Sequence, residues 1–261
     1  MPILGIDIFK CSKCKQCIND CPTGNFTVEK DKQNIIFNDT NCILCGHCIA
    51  VCPEDAILYE NMQDTSLEFE RDQDPDALIN YKGIHQLLRG IRSIRQYQPK
   101  SVPKEFIQKI IDTIRYAPTG ANMRTLKCLV VSGKQQRVEL TEAIINALEV
   151  KETQDLFRAK FEQGQDPIFY HAPHIFIFYS KNPWDTRNVS IGMTYGMITA
   201  KVLGLGSCWI GYAHGILAEH PGICKRLTGI QTYVLGVMTI GYPSVTYYRA
   251  PPRPPLAIKE I

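Results

Sequence analysis

The sequence lacks the segments that would direct it out of the cell or into a membrane. Its first residues, MPILGIDIFK, have neither the basic cap and apolar run of a secretory signal nor the arginine-rich composition of a transit peptide. No stretch of about 18 uninterrupted apolar residues occurs, because the most apolar segment, 191–217, is interrupted by Lys201 and His214. We therefore expect a cytoplasmic protein without a membrane span.

The sequence also lacks a basic stripe, a DNA-binding helix pair and a dinucleotide-binding fingerprint. Its net charge of +3 is unevenly distributed. Residues 1–60 hold 5 Lys/Arg against 8 Asp/Glu, residues 61–82 hold 2 against 6, and residues 83–261 hold 22 against 12. Because the basic residues are scattered, nucleic acid is disfavoured as a partner. An acidic head before a basic body suits an anionic cofactor or partner better.

Cysteine, by contrast, is abundant, with eleven residues in the chain. Eight of them form two copies of one pattern in which every cysteine is offset by 31 residues. The copies are Cys11, Cys14, Cys17 and Cys21 followed by Pro22, and Cys42, Cys45, Cys48 and Cys52 followed by Pro53. Such spacing indicates an internal duplication of about thirty residues.

Three kinds of site compete for this cysteine pattern. Disulfides are disfavoured in a reducing cytosol and would be strained between thiols three residues apart. Zinc commonly takes two separated pairs of ligands and gives no reason for a third cysteine at the same spacing or for the proline. Iron–sulfur clusters account for both features, so we favour them, with a zinc or disulfide site as the alternative.

In a C-x2-C-x2-C-x3-C-P run, three thiolates bind one [4Fe–4S] cubane and the fourth binds the cubane of the other run. Cluster one would then use Cys11, Cys14, Cys17 and Cys52, and cluster two would use Cys42, Cys45, Cys48 and Cys21. The first sixty residues resemble the bacterial two-cluster ferredoxin family, with every cysteine and both prolines of its motif. His47 lies between two ligands and is interpreted as a surface residue or a mild influence on the cluster potential.

The rest of the chain alternates helical and strand patterns after an acidic connector at 61–82. The patterns predict helices near 83–97, 102–118, 134–150 and 186–203, and strands near 126–133, 174–180 and 233–243. Three predicted strands are too few for a doubly wound fold. The body is therefore predicted to be an α+β sheet protein.

Three stretches of the body could contact an anionic cofactor with a planar ring. IRSIRQY places Arg92, Ser93 and Arg95 where two guanidiniums and a hydroxyl reach one phosphate, or simply at a solvated helix end. APTGANMR offers Thr119 and Asn122 to a heterocycle, or is an ordinary helix stop. GLGSCWIGY allows main chain to approach a flat ring, or is a tight helix–strand connection.

In sequence order, RSIRQY, VPKEFIQKIIDTIRYAPTGANMR, GLGSCWIG and VMTIGYP resemble the FMN-dependent nitroreductase family over almost all of residues 83–261. The resemblance implies FMN contacts of three kinds and an intertwined homodimer. The phosphate and ribitol would contact Arg92, Ser93, Arg95 and Arg249; the ring would lie along Ile210 and Gly211; the partner protomer would contribute Pro118, Thr119, Gly120 and Asn122. Two departures are Ile91, where the family often has arginine, and MRTLK after the asparagine turn, where Gln-Pro-Trp is usual.

These resemblances predict a two-cluster ferredoxin-like domain at 1–60, the acidic linker at 61–82, and a nitroreductase-like FMN domain at 83–261. The expected function is an oxidoreductase that passes electrons from its clusters to FMN and on to a small organic acceptor, such as a nitro compound or quinone. The donor would be ferredoxin or NAD(P)H. The alternatives are an electron-transfer adaptor to a protein partner and a redox-sensing flavoprotein. An enzyme should have a substrate-sized opening over the flavin, whereas an adaptor should have that opening sealed.

No catalytic nucleophile or triad is expected, since the flavin supplies the chemistry. Cys128, Cys208 and Cys224 lie outside the cluster motifs. Cys208 belongs to the flavin-side stretch GSCW and is interpreted as a packing residue, with a redox role as the alternative.

Overall fold

The computed structural model describes residues 3–60, 64, 66–67 and 78–260, so most of the predicted connector at 61–82 lies outside the described residues. The described chain divides into two compact units. The first contains residues 3–60, 64, 66–67 and 119–123, and the second contains residues 78–118 and 124–260.

The first unit consists of two short strand pairs and two short helices. Strand β1 (Ile3–Ile6) pairs antiparallel with β4 (Ile57–Tyr59), and β2 (Phe26–Val28) pairs antiparallel with β3 (Ile35–Phe37). Helices α1 (Gln16–Asn19) and α2 (His47–Val51) each carry a buried cysteine. Those cysteines pack in a small core with the apolar side chains Ile3, Phe26, Ile35 and Ile57. A core this small usually needs a metal centre or disulfides for stability.

The 31-residue duplication is visible in the backbone as well as in the sequence. Helices α1 and α2 begin 31 residues apart, and so do β2 and β4. Positive φ angles recur at the same offset, at Lys13 (59°) and Leu44 (57°), at Lys15 (63°) and Gly46 (78°), and at Gly24 (67°) and Asp55 (47°). Two copies of one loop conformation therefore carry the two cysteine runs.

The second unit is a four-stranded antiparallel sheet with helices on both faces. Its strands are β5 (Lys127–Val131), β6 (His174–Ser180), β7 (Gly206–Trp209) and β8 (Tyr233–Gly241), in the order β5-β6-β8-β7. Its helices are α3 (Tyr81–Gly90), α4 (Lys104–Ile114), α5 (Lys134–Asn146), α6 (Lys151–Glu162), α7 (Thr186–Val202), α8 (Gly211–Glu219) and α9 (Pro221–Thr228). This architecture confirms the predicted α+β class.

Strand β6 is the centre of the core because both of its faces are apolar. Ile175 and Ile177 point to one side, where they pack in a cluster with side chains of α5, α8 and α9. Phe176 and Phe178 point to the other side, where they pack with side chains of α4 and α7. The continuous run HIFIFYS therefore reflects burial on both faces of the sheet. No helix among the described residues is both long enough and apolar enough to cross a membrane.

One helix end predicted from the sequence is wrong, and one strand was missed. The helix expected at 83–97 ends at Gly90, because the following segment adds to the sheet. Ser93 pairs in parallel with Ser207 of β7, and the Ile94 N–H donates to the Ser207 carbonyl at 2.9 Å. Strand β7 itself was not expected, since GSCW has no β-branched run. It pairs with β8 from Gly206 opposite Gly241 to Trp209 opposite Met238.

Candidate functional site

The first predicted cluster set surrounds one cavity of the first unit. Its lining includes the four cysteines of that set, Cys11, Cys14, Cys17 and Cys52. Burial raises the pKa of the Cys17 thiol, and the charges of Cys11 and Cys14, followed by Cys52, raise that pKa further. The fourth cysteine of the second run therefore lies among the first three cysteines of the first run.

The second predicted set shows the same arrangement around Cys48. Burial raises the pKa of the Cys48 thiol to about 11, and the charges of Cys45, Cys42 and Cys21 add to this rise. Cys21 and Cys52, which would cross between repeats, each accept a backbone N–H from the residue four positions later. The donors are Asn25 and Ala56, both at 3.3 Å. Hydrogen bonds of this kind favour a thiolate over a thiol.

These residues fit two cubanes. No group of three or more His, Cys, Asp or Glu side chains in the described part of the chain is arranged to hold a single metal ion. A cubane needs a different geometry, because its four cysteine ligands surround a cluster of four iron atoms and do not converge on one ion. The apolar surroundings of the thiols, including Ile6, Ile35 and Ile57 at the first cavity, would keep water from such a cluster.

In the second unit, Arg92 and Arg249 line one cavity of about 630 Å³. Arg92 follows the end of α3, where its Nη1 donates to the carbonyls of Arg89 at 2.8 Å and Ile91 at 2.6 Å. Lys201, in the last turn of α7, adds a third cation to the same lining. Sequence reasoning did not assign Lys201 to the site, although its position inside the most apolar stretch of the chain was a usable indication.

A second cavity, of about 580 Å³, contains the residues expected along the flavin ring. Ile210 and Gly211 line this cavity together with Trp209 and Tyr212. Arg95, which was expected at the phosphate, also lines this cavity and not the one that Arg92 and Arg249 line. The Ile210 N–H donates to the Val237 carbonyl at 2.8 Å, which fixes the main chain at the point where β7 gives way to α8. Trp209 is 37% exposed and Tyr212 is 52% exposed, so solvent reaches this wall.

Ser93, on the segment that pairs with β7, lies close to Cys208 of β7. Burial raises the pKa of the Cys208 thiol, whereas the positive charge of Arg95 and a hydrogen bond with the Ser93 side chain lower it, and the pKa is raised overall. The Cys208 Sγ also donates to the Trp209 carbonyl at 3.4 Å. Burial alone raises the pKa of Cys128 to about 12, and it also raises the pKa of Cys224. All three thiols are therefore disfavoured as thiolates.

The segment expected to reach the flavin of a partner protomer lines neither cavity. Thr119, Gly120 and Asn122 belong to the first compact unit, where Asn122 Nδ2 donates to the carbonyls of Ile43 at 3.0 Å and Leu44 at 2.7 Å. Pro118 belongs to the second unit. Because the resemblance assigns these four residues to the flavin of another protomer, their role stays a prediction.

Comparison with known proteins follows the same division of the chain. The model of the nitroreductase family matches residues 88–242, more than half of the sequence. The chain belongs to the nitroreductase family. Residues 10–57 of this nitroreductase-family protein match a 4Fe-4S dicluster domain. These matches confirm both resemblances expected from the sequence and the assignment as an oxidoreductase of the nitroreductase type.

Individual relatives cover one or the other part of the nitroreductase-family chain. A Methanothermobacter thermautotrophicus protein assigned as an NADH dehydrogenase/NAD(P)H nitroreductase is 25% identical over 171 residues, covering 65% of this chain and 82% of that protein. A ferredoxin of Methanothermococcus thermolithotrophicus is 39% identical over 54 residues, covering 20% of this chain and 88% of the ferredoxin. A Bacteroides fragilis nitroreductase crystallised with FMN shares the fold, with a TM-score of 0.58 and 22% identity over 68% of this chain and 98% of that one.

Proposed function

We propose that the protein is an FMN- and iron–sulfur-dependent oxidoreductase that passes electrons from two [4Fe–4S] clusters to FMN and on to a small organic acceptor. A nitro compound or a quinone is the expected class of acceptor. The observation that carries the proposal is the solvent-reached cavity of about 580 Å³ beside Ile210 and Gly211. Its volume lies in the range of roughly 300–1,000 Å³ typical of small-molecule sites. Because the ring of FMN would itself occupy part of this space, an adaptor would share the cavity, and turnover of a small acceptor is what separates the two functions.

The phosphate-side cavity supports FMN as the cofactor of this site. An FMN phosphate carries roughly two negative charges at neutral pH. Arg92, Lys201 and Arg249 supply three cations to one cavity, and Ser93 supplies a hydroxyl beside it. When bound, FMN accepts electrons singly or in pairs, which is the property needed between one-electron centres and a two-electron acceptor. The role of the chain is to hold the phosphate by charge and to present main chain at Ile210 and Gly211 to the ring.

The cysteine arrangement supports two cubanes with crossed ligands. Each set combines three cysteines of one run with the fourth cysteine of the other run, as the neighbours of Cys17 and Cys48 indicate. We assign cluster one to Cys11, Cys14, Cys17 and Cys52, and cluster two to Cys42, Cys45, Cys48 and Cys21. Reduced clusters of this type need thiols that are kept from disulfide formation, which favours action in the cytoplasm.

A homodimer is part of the proposal, because the family resemblance assigns Pro118, Thr119, Gly120 and Asn122 to the flavin of the partner. Two donors are compatible with the sequence. The name of the Methanothermobacter relative refers to NAD(P)H, whereas the fused cluster domain favours reduced ferredoxin. A domain boundary near residue 60 and a second near residue 83 complete the proposed organisation.

The test is anaerobic turnover of the full chain with reduced ferredoxin, NADH or NADPH, against a panel of nitroaromatics and quinones. Cys45→Ser removes a proposed ligand of cluster two, and Cys128→Ser is the matched control outside both motifs. We expect ferredoxin-driven acceptor reduction in the parent and control proteins and its loss in Cys45→Ser. If no acceptor is reduced although the bound flavin is reduced by ferredoxin, the protein is an adaptor and the enzyme proposal fails.

A further inference from the structure

A third cleft of the second unit, with a volume of about 870 Å³, is separate from both candidate FMN cavities. It shares no lining residue with either of them. Its walls come from residues 97–101, the start of α5, the turn after α6 and the start of β6. Nothing in the proposed function uses this cleft.

Arg137, on α5, lines the cleft and carries one hydrogen-bond donor without a partner. Its Nη1 donates to the Ala172 carbonyl at 2.7 Å, which anchors the guanidinium. Its Nε is buried and has no hydrogen-bond partner. A guanidinium can only donate, so this position requires an acceptor. Burial lowers the pKa of Arg137 and the charge of Asp166 partly opposes that effect, but arginine stays protonated at neutral pH.

His174, at the start of β6, lines the same cleft and also has an unpaired ring nitrogen. Its Nδ1 is hydrogen-bonded to the Ser132 hydroxyl at 2.7 Å, and its Nε2 is buried without a partner. Burial lowers the pKa of His174, and the positive charge of Arg137 lowers it further, which places the two groups near each other. The ring is therefore neutral at pH 7. When the Ser132 hydroxyl donates to Nδ1, the ring proton lies on Nε2, which then needs an acceptor as well.

The charges around the cleft favour an anion. Lys100, Lys134 and Arg137 line it, and Asp166 is its single carboxylate. That carboxylate is already engaged, because Oδ1 accepts from the Ile168 and Phe169 N–H groups at 3.1 and 2.8 Å, and Oδ2 accepts from the His171 N–H at 3.1 Å. His171 also lines the cleft and is exposed. The remaining wall is apolar and consists of Pro99, Val138, Phe161 and Pro173.

We propose that this cleft binds a small organic anion, with its carboxylate or phosphate oxygens on Arg137 and His174 and its apolar body against Val138 and Phe161. The side chains of Arg137 and His174 and an excess of positive charge define the head-group position. The apolar wall selects an organic acid over an inorganic ion. The ligand is distinct from FMN, because Arg92 and Arg249, which are assigned to the FMN phosphate, line another cavity.

The test is calorimetric titration of the holoprotein with four probes: benzoate, phenyl phosphate, benzamide and inorganic phosphate. We expect benzoate or phenyl phosphate to bind, and whichever binds more tightly identifies the head group. The neutral benzamide, which has the shape of benzoate, should bind at least tenfold more weakly. Equal binding of benzamide, or no binding of either organic anion, would overturn the proposal.

Variants place the binding in the cleft. Loss of one charge-assisted hydrogen bond typically weakens affinity roughly ten- to a hundredfold, so Arg137→Gln should lose affinity for the organic anion by that factor. Arg137 also anchors the Ala172 carbonyl, so Arg137→Gln could disturb the fold. Lys134→Gln is therefore a second variant, because Lys134 lines the cleft at an exposed position where the change should not disturb folding. Lys104→Gln, at an exposed position outside the cleft, is its control.

FMN content, read from the flavin absorbance, should be the same in all three variants, which separates this result from any failure of the proposed function. Unchanged anion affinity in both Arg137→Gln and Lys134→Gln would refute the assignment of the cleft.

Discussion

Gly206 controls how closely the Arg92–Ile94 segment approaches the sheet. A Cβ at residue 206 would lie 2.4 Å from Ile94 Cγ1 and 2.9 Å from Ile94 Cβ. Carbon atoms at optimal contact are about 3.5–4.0 Å apart, so the Gly206→Ala variant must push Ile94 outward by about an ångström or strain its own strand. Ile94 is buried and its N–H is bonded to Ser207, so neither movement is free.

We expect Gly206→Ala to lower the stability of the second unit by about 1–3 kcal/mol, the usual cost of overpacking a core. Ile94, Gly206 and Ser207 line the phosphate-side cavity with Arg92. If the strain also weakens FMN binding, the FMN affinity should fall by roughly tenfold for every 1.4 kcal/mol of binding free energy lost. Urea unfolding followed by near-ultraviolet circular dichroism, and titration of the apoprotein with FMN followed by flavin fluorescence, measure the two effects.

A matched control and a double-mutant cycle test whether the close approach of Gly206 to Ile94 causes these effects. Gly222→Ala adds the same methyl group inside a helix at a position with nothing within 4 Å, so it should lower neither the stability nor the FMN affinity. Ile94→Ala removes Cγ1, the nearest clashing atom, and keeps Cβ, so adding Gly206→Ala to it should cost less than Gly206→Ala costs alone. Additive effects in the cycle, or a Gly206→Ala protein with the parent's urea midpoint, would show that the close approach is not a constraint.

Three further predictions concern the proposed cofactors. Anaerobically purified parent protein should contain about eight iron atoms per chain, from two cubanes. Cys14→Ser should reduce this iron content and Cys128→Ser should not. An iron-free parent protein that is fully active would rule the clusters out. Arg249→Ala should weaken FMN binding roughly ten- to a hundredfold, and the assignment fails if Arg226→Ala, on the exposed side of α9, has an equal effect. Asn122→Ala removes the two side-chain hydrogen bonds to the carbonyls of Ile43 and Leu44 in the second cysteine run. Iron release to a chelator should therefore be faster than in the parent, and an unchanged rate would show that Asn122 does not hold this loop in place.

Some elements could be predicted from the sequence because local pattern and tertiary environment agree. The run HIFIFYS predicts strand β6 with its observed ends, His174 and Ser180. The pattern between Pro103 and Pro118 predicts α4, which begins directly after Pro103. The cysteine spacing likewise predicts sets whose members the structure brings together, because the spacing is itself a requirement of cluster binding.

Other elements could not be predicted because distant residues decide them. The apolar period through Ile91 and Ile94 is helical, yet pairing with Ser207 extends this segment onto the sheet. Lys201 reaches the phosphate-side cavity only because α7 ends beside β7, and the anion cleft is assembled from segments around Lys100, Arg137 and His174 that have no common pattern in the sequence. Such sites depend on tertiary proximity, which periodicity does not encode.

With the crossed ligand sets proposed above, iron loading of the two repeats is expected to be interdependent. Each repeat holds three thiolates of its own proposed cubane, and it lends the fourth, Cys21 or Cys52, to the other. Assembly of one cubane therefore draws both repeats together and leaves the second set of cysteines already arranged, so the second loading step should be easier than the first. At limiting iron, the population should consist mainly of empty and fully loaded molecules. Oxidative loss of either cubane should, for the same reason, hasten loss of the other.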